Sequence, residues 1–294
     1  MAARFTVHHY DSLLATRGAP GGNKAGIVHL DGGFPSDQVM QTVAKIVGFS
    51  ETAFFTKDDK KVHIQFFTPE GEVDLCGHAT VAAFSALERD STFEMHTKKS
   101  ILTVATDSTG RVTMDQDLPS FEEPKPNVIP SVLEALGLTI DDVCFDEIPL
   151  TIVSTGLPDL FVAVKSREVL NQILRPDVEK IAAISKRLTT IGFHVFTLDV
   201  DEGFTAECRN FAPLYGIDEE AATGTSSGAL GSLLCHVAKD FTTFTRHMVF
   251  LQGSAMQLPS RIESTVSIEN GSIVRVSIAG IAEPCGSQEV EVTS

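Results

Sequence analysis

Basic residues are scarce and scattered in this chain. Its 294 residues carry 23 Lys and Arg against 39 Asp and Glu, a formal charge of −16. The densest basic points are the pairs Lys60-Lys61 and Lys98-Lys99. Nucleic-acid affinity rests on a basic footprint, so nucleic-acid binding is not expected. An anionic small molecule would have to be received locally, by backbone amides. Cysteine is also sparse. Cys76, Cys144, Cys208, Cys235 and Cys285 are odd in number, widely spread and never spaced C-x-x-C. That argues against a disulfide framework and a zinc ribbon, and it points to a reducing compartment, the cytoplasm. No apolar run approaches the roughly 18 residues of a helical membrane span, and MAARFTVHHYDSLL lacks the apolar core of a secretory signal. P-loop and dinucleotide-binding spacings are missing too, so no nucleotide is implied, and neither HExxH nor a cluster of metal ligands appears.

What is present is an ordinary globular balance, 43% apolar and 21% charged, on a chain long enough for two modest domains or one large one. Strand-like runs (RFTVHHYDSL, AGIVHL, ETAFFT, VHIQFFT, ILTVATD, RVTMDQD) alternate with two helical patterns. PSDQVMQTVAKIVG has Ser36 as N-cap and Gly48 as terminator, and HATVAAFSALERD is rich in Ala. Residues 118–130 hold Pro119, Pro124, Pro126 and Pro130 and read as a linker. The order then begins again, with strands at LTIVSTG, LFVAV, FHVFTL and FTAECRNF and a late strand at SIVRVSIAG. The helices of this half are RPDVEKIAAISKRL and GTSSGALGSLLCHVAKD.

The two halves align. LCGHATVAAFSAL (75–87) over ATGTSSGALGSLL (222–234) matches at Gly77/Gly224, Ala82/Ala229, Ser85/Ser232 and Leu87/Leu234. Upstream, FTP at 67–69 faces FAP at 211–213, which implies a three-residue insertion near Leu214-Tyr215-Gly216. The expectation is a duplicated α/β (α+β) chain of two pseudo-symmetric lobes, residues 1–120 and 121–294, whose last strand is free to return to the first lobe.

In each copy a glycine falls between strand-like residues and a helix start. A helix N-terminus offers unpaired N–H groups and partial positive charge, about 0.3–1 kcal/mol toward an anion. Gly77-His78-Ala79 and Gly224-Thr225-Ser226 thus predict twin sites for a carboxylate, with the substrate between the lobes. Before the glycines stand Cys76 and Thr223. A thiol can act as a base, but an alcohol is far too weak an acid, so a symmetrical two-thiol racemase is excluded. In FSETAFF, Glu51 follows Ser50 and precedes Phe54-Phe55, where desolvation would suit it to general acid–base work. An exposed turn glutamate fits the same letters. Glu219 or Glu220 can lie at the mouth of the site or be a solvated loop acid, and His78 can bind substrate or cap its own helix. In GGNKAGIVHL, Asn23 is placed to bond a ligand.

The blocks GGNKAGIV, GFSETAFF, FFTPEGEVDLCGHATVAAFSAL, RNFAPLYGIDEEAATGTSSGAL and LQGSAMQLPSRIES resemble the phenazine-biosynthesis PhzF-like proteins, of the diaminopimelate-epimerase fold superfamily. The resemblance implies two lobes, each a β-barrel-like sheet around a central helix. It also implies an isomerase free of cofactor and metal, a small carboxylate-bearing substrate and a homodimer. It makes Glu51, His78 and Glu220 the catalytic candidates, and Asn23, Ser50, Gly77, Gly224 and Thr225 the substrate-binding ones. Three positions depart from the family pattern: Lys24 replaces a proline, Glu220 an aspartate and Leu258 an arginine. Two alternatives stay open: a dehydratase or racemase-like enzyme using Cys76 as its single base, and a non-catalytic small-molecule binder.

Overall fold

The opening stretch folds as β1 (Ala2–Ser12), then β2 (Asn23–His29), α1 (Asp37–Val47), β3 (Glu51–Asp58) and β4 (Lys61–Phe67). These elements belong to a computed structural model, which describes residues 2–238 and 243–293. They are followed by β5 (Glu72–Val73), α2 (Gly77–Ser85), β6 (Ser91–His96), β7 (Ile101–Thr106) and β8 (Val112–Gln116). The α1 pattern works as read: Met40, Val43 and Ala44 are buried on one face, and Gly48 ends the helix at φ 72° with its N–H on the Ala44 carbonyl. Ser36 sits at the N-cap position, but its side chain makes no capping hydrogen bond. β2 runs parallel to β3, β3 antiparallel to β4, and β4 parallel to β6.

The second half repeats that scheme. Its elements are β9 (Ser120–Glu122), α3 (Ile129–Leu136), β10 (Thr151–Ser154), β11 (Pro158–Ala163), α4 (Arg167–Gln172) and α5 (Val178–Leu188). β12 (Phe193–Thr197), β13 (Ala206–Ala212), β14 (Ile217–Glu220), α6 (Gly224–Ala238), β15 (Phe244–Gln252), β16 (Ser260–Glu269) and β17 (Ser272–Gly280) follow. β11 is parallel to β12, β12 antiparallel to β13, and β13 parallel to β15. Pair for pair, this is the order of β2, β3, β4 and β6. β18 (Ala282–Thr293) closes the chain and pairs antiparallel with β1.

The fold is therefore mixed α/β and internally duplicated. One unit comprises Met1–Asp115 with Ala279–Ser294, the other Gln116–Ile278. The division falls at 115/116 rather than 120/121, and the last strand lies with the first unit. The linker expectation is overturned. Residues 118–130 contribute β9, paired with β10, and the start of α3. Pro130 occupies the first turn of that helix, where a missing N–H costs nothing. The three extra residues also go elsewhere than expected: β13 runs one residue past Phe211, and β14 is longer than β5, with a register shift between Asn210 and Ala212.

Each unit is organised on one helix buried along nearly its whole length. Residues 77–84 of α2 and 224–235 of α6 are buried, and neither stretch carries a charged side chain other than a histidine. A helix apolar all round is a core helix. α2 packs on β1, β2, β3, β7 and β18, and α6 on β10, β11, β15 and β16. Small residues permit that approach: a Cβ on Gly231 would lie 2.4 Å from Ser264 Oγ. Lys239 and Asp240, read as the end of the α6 pattern, lie outside the described residues. Among the described residues no helix is long and apolar enough to cross a membrane.

Candidate active site

Three elements of the first unit bring the foreseen residues together. Asn23 opens β2, Glu51 opens β3 beside it (Ala25 pairs with Glu51), and Cys76 is the N-cap of α2. His78, buried in the first turn of α2, takes the centre. Its Nδ1 lies 3.3 Å from Asn23 Nδ2 and 3.4 Å from Cys76 Sγ. Its Nε2 lies 3.3 Å from Ser50 Oγ and 3.2 Å from Glu51 Oε2. Ser50 in turn donates to Asn23 Oδ1 at 3.4 Å, and Ser12 Oγ donates to the His78 carbonyl at 2.7 Å. Burial pushes the imidazole below its usual range, against the opposing pull of Glu51 and of a bond to the Lys24 backbone, so the ring is neutral near pH 7. Glu51 is 8% exposed, and its Oε2 has no hydrogen-bond partner. The aromatic neighbours read from sequence point elsewhere. Phe55 stacks on His29 at 4.7 Å and Phe54 packs edge-on to Phe67, so the carboxylate sits against the imidazole instead.

The matching turn of the second unit carries different chemistry. Glu220 ends β14, and its Oε2 accepts the Thr223 hydroxyl at 2.6 Å. Gln252 ties the two together: Nε2 donates to the Glu220 carbonyl at 2.8 Å and to Thr223 Oγ1 at 3.0 Å, while Oε1 accepts the Thr223 N–H at 3.2 Å. Behind them, Gln116 Nε2 donates to the Gly224 carbonyl at 3.3 Å, and the Thr155 hydroxyl bonds Gln116 Oε1 at 2.8 Å and the Thr225 carbonyl at 3.1 Å. Glu219 is not part of this turn. Both its oxygens bind Arg209 at 2.8 Å, and that arginine also donates to the Leu170 and Ile173 carbonyls. The duplication thus places Thr223 where the first unit has Cys76. Thr52 pairs with Phe67 as Phe193 pairs with Phe211, so the position of Glu51 corresponds to Gly192, and Glu51 has no acidic counterpart.

Sequence reasoning missed the support beneath the second turn. Asp159, fully enclosed, accepts the Gly192 N–H at 2.8 Å, Asn210 Nδ2 at 3.0 Å and the Ser226 hydroxyl. Asn210 pairs with Glu220 across β13–β14, and Ser226 lies in the first turn of α6. One carboxylate therefore couples the strand pairing with Glu220 to the helix that starts at Gly224. Gln252 gave no signal because its partners lie on a turn some thirty residues back in the chain, and Asp159 because, after Pro158, it reads as a turn acid.

Next to Asn210 lies His194, its Nδ1 3.2 Å from the amide and its Nε2 buried without a partner. Burial lowers its pKa to about 3. An unfolded histidine, near 6.5, takes up a proton that the folded one refuses. The stability tied to this residue is whole above about pH 6.5 and drains as pH falls toward 3, by up to about 1.4 kcal/mol per pH unit. Asp159 acts in the opposite sense, because its carboxyl is raised by burial and favours the folded state as it protonates. Calorimetric melts between pH 7 and 5 should show a shallower decline for His194→Gln than for wild type, with Asp159 present in both proteins. Equal slopes would refute that assignment.

Glu51, Cys76 and His78 also form a group of metal-ligating type, with one donor atom of each within 4.8 Å of the others. The thiol faces Nδ1, however, and the carboxylate faces Nε2. The two ring nitrogens lie on different edges of the imidazole, so an ion bound to one would sit nearer to one of these partners than to the other. Of the departing residues, Lys24 pairs with Asp11 at 2.8 Å, and Leu258 is exposed.

Residues 15–286 match the family model described as phenazine biosynthesis-like protein. An uncharacterized isomerase, YddE, of Escherichia coli O157:H7 is 33% identical over 94% of this chain and 95% of its own. The trans-2,3-dihydro-3-hydroxyanthranilate isomerase of Pseudomonas chlororaphis is 27% identical over 93% of this chain and 96% of its own. Among solved structures, a PhzF-family phenazine biosynthesis protein of Bacillus anthracis superposes with TM-score 0.83 at 29% identity, covering 99% of this chain and all of that one. A predicted epimerase of Pseudomonas aeruginosa, 23% identical with TM-score 0.77 over 99% of this chain and 100% of its own, shares the fold. With the model matched over nearly its whole length and relatives named as isomerases, the chain is an isomerase that belongs to the phenazine biosynthesis-like (PhzC–PhzF) protein family.

Proposed function

We propose that this isomerase moves a proton between two carbons of a small carboxylate-bearing molecule, with Glu51 taking the proton from one carbon and returning it to the other. The observation that carries this reading is the buried Glu51 Oε2, an acceptor without a hydrogen-bond partner, held 3.2 Å from a neutral imidazole. A buried polar atom left unsatisfied calls for an explanation, and a substrate proton supplies one. His78, Ser50 and Asn23 orient the reacting molecule, and the first amides of α2, from Gly77 onward, hold its carboxylate or the developing enolate. Glu220, Gly224 and Thr225 form the matching substrate-binding candidates of the second unit. No cofactor is called for, because amides and one carboxylate suffice to hold the charge and move the proton. Acid–base catalysis contributes about 10²–10⁴-fold, and amide stabilisation of the intermediate the remainder.

Trans-2,3-dihydro-3-hydroxyanthranilate, the substrate named for the Pseudomonas chlororaphis relative, heads the candidates. Lys24, Glu220 and Leu258 argue for a wider panel of unsaturated cyclic amino and hydroxy acids. Each compound is incubated with enzyme in deuterated water and followed by NMR for double-bond migration and deuterium uptake. Migration or uptake in one compound supports the reading. A panel that binds yet shows neither identifies a binding protein.

A further inference from the structure

Each ring nitrogen of His78 has one neutral and one acidic neighbour, and the ring also bonds the Lys24 backbone. Nδ1 faces the Asn23 amide and the Cys76 thiol, while Nε2 faces the Ser50 hydroxyl and the Glu51 carboxylate. The ring is buried, and so are the thiol and the carboxyl. We propose that Cys76 is the proton store of this site, sharing one proton with Glu51 through the His78 ring. The inference rests on the role given to Glu51 above.

The transfer balances without any outside reagent. A proton on the Glu51 carboxyl moves to Nε2 as Nδ1 releases its own proton to the Cys76 thiolate. The carboxyl becomes carboxylate, the thiolate becomes thiol, and the imidazole changes tautomer with no change of charge. The reverse step readies Glu51 as an acid. The site can then begin by taking a proton or by giving one, and both directions of an isomerisation become available without a water molecule entering. A neutral ring suits this, since it conducts by exchanging tautomers rather than by holding charge. Thr223, the counterpart of Cys76 in the second unit, could not serve, because an alcohol does not ionise in this range.

Other ionisable groups on the strands packed against α2 do not take this role. Lys24 on β2 is held by Asp11 on β1 at 2.8 Å, and Glu283 on β18 by Arg17 at 3.3 Å. His9 on β1 and Cys285 on β18 are both shifted toward their neutral forms by burial, β1 also carries His8 and Tyr10, and β7 carries no ionisable side chain.

The test needs no substrate. The ultraviolet absorbance of the Cys76 thiolate is obtained by difference between wild type and Cys76→Ser across the pH range, and the measurement is repeated in a Glu51→Gln background. A glutamine at 51 removes a negative charge and offers Nε2 an N–H, so the ring turns Nδ1–H toward the sulfur. The thiol midpoint should drop by about one pH unit or more, the size expected of strongly coupled groups. In a His78→Gln background the same Glu51→Gln shift should fall to less than half, because only through-space repulsion is left. An unchanged midpoint in Glu51→Gln overturns the proposal, and so does a shift that survives intact without His78. If the midpoint stands still while Glu51→Gln abolishes proton transfer to substrate, the store is refuted and the Glu51 role survives. If Glu51→Gln keeps full activity, the role itself is lost, whatever the thiol does.

Discussion

Glu51→Gln should lower deuterium uptake and double-bond migration in the substrate by about 10²–10⁴-fold while leaving the melting temperature unchanged or higher. The two halves of this prediction share a cause. Glu51 Oε2 is buried with no hydrogen-bond partner, and its nearest basic neighbour is an imidazole kept neutral by burial. A buried carboxyl oxygen that makes no hydrogen bond adds little to the fold, so its place there is explained by chemistry. Glutamine preserves the shape and β3 pairing and removes the charge. Activity within a few-fold of wild type would refute the catalytic assignment. A melting temperature lowered by many degrees would show instead that the carboxylate supports the fold.

Glu51 was legible because FSETAFF sets it at the first position of a strand and the family resemblance singles out the same letter. Cys76, Gly77 and His78 were legible as a group because a glycine at a strand-to-helix junction constrains its neighbours. The partners across the sheets were not. Gln252 reaches Glu220 and Thr223 from a strand far along the chain, and no local pattern carries that register. Asp159 follows a proline at the start of β11 and reads as a turn acid, yet it gathers Gly192, Asn210 and Ser226. The linker was misjudged for a related reason. Prolines exclude helix interiors, but Pro130 stands in the first turn of α3, where the rule does not apply.

Gly192→Ala should be among the most damaging single substitutions in the second unit, at about 3–5 kcal/mol, or a fall of roughly 10 °C in melting temperature. A Cβ there would lie 2.0 Å from the Phe211 carbonyl oxygen and 3.0 Å from Ala212 Cα. Both are backbone atoms of β13, so no side chain can swing aside. Relief requires β12 and β13 to part where Phe193 pairs with Phe211. That movement would also disturb the Gly192 N–H bond to Asp159 and the Leu160 N–H bond to the Gly192 carbonyl. Gly71→Ala is the matched control: nothing lies within 4 Å of its Cβ position, so its effect should stay within about 0.5 kcal/mol. Calorimetry on the two variants decides it, and equal melting temperatures would show that the backbone at 192 yields easily.

β18 pairs with β1 from Ala282–Ser12 through to Thr293–Ala2. The unit that holds Glu51 and His78 is thus assembled from two pieces of chain with Gln116–Ile278 inserted between them. On a ribosome, the earlier piece emerges without the strand that covers one flank of β1 and packs on α2. The Gln116–Ile278 unit has all its strands sooner, so the half made first is the half finished last. Until β18 is translated, the nascent protein has its glutamate but not the strand that pairs with β1 and packs on α2.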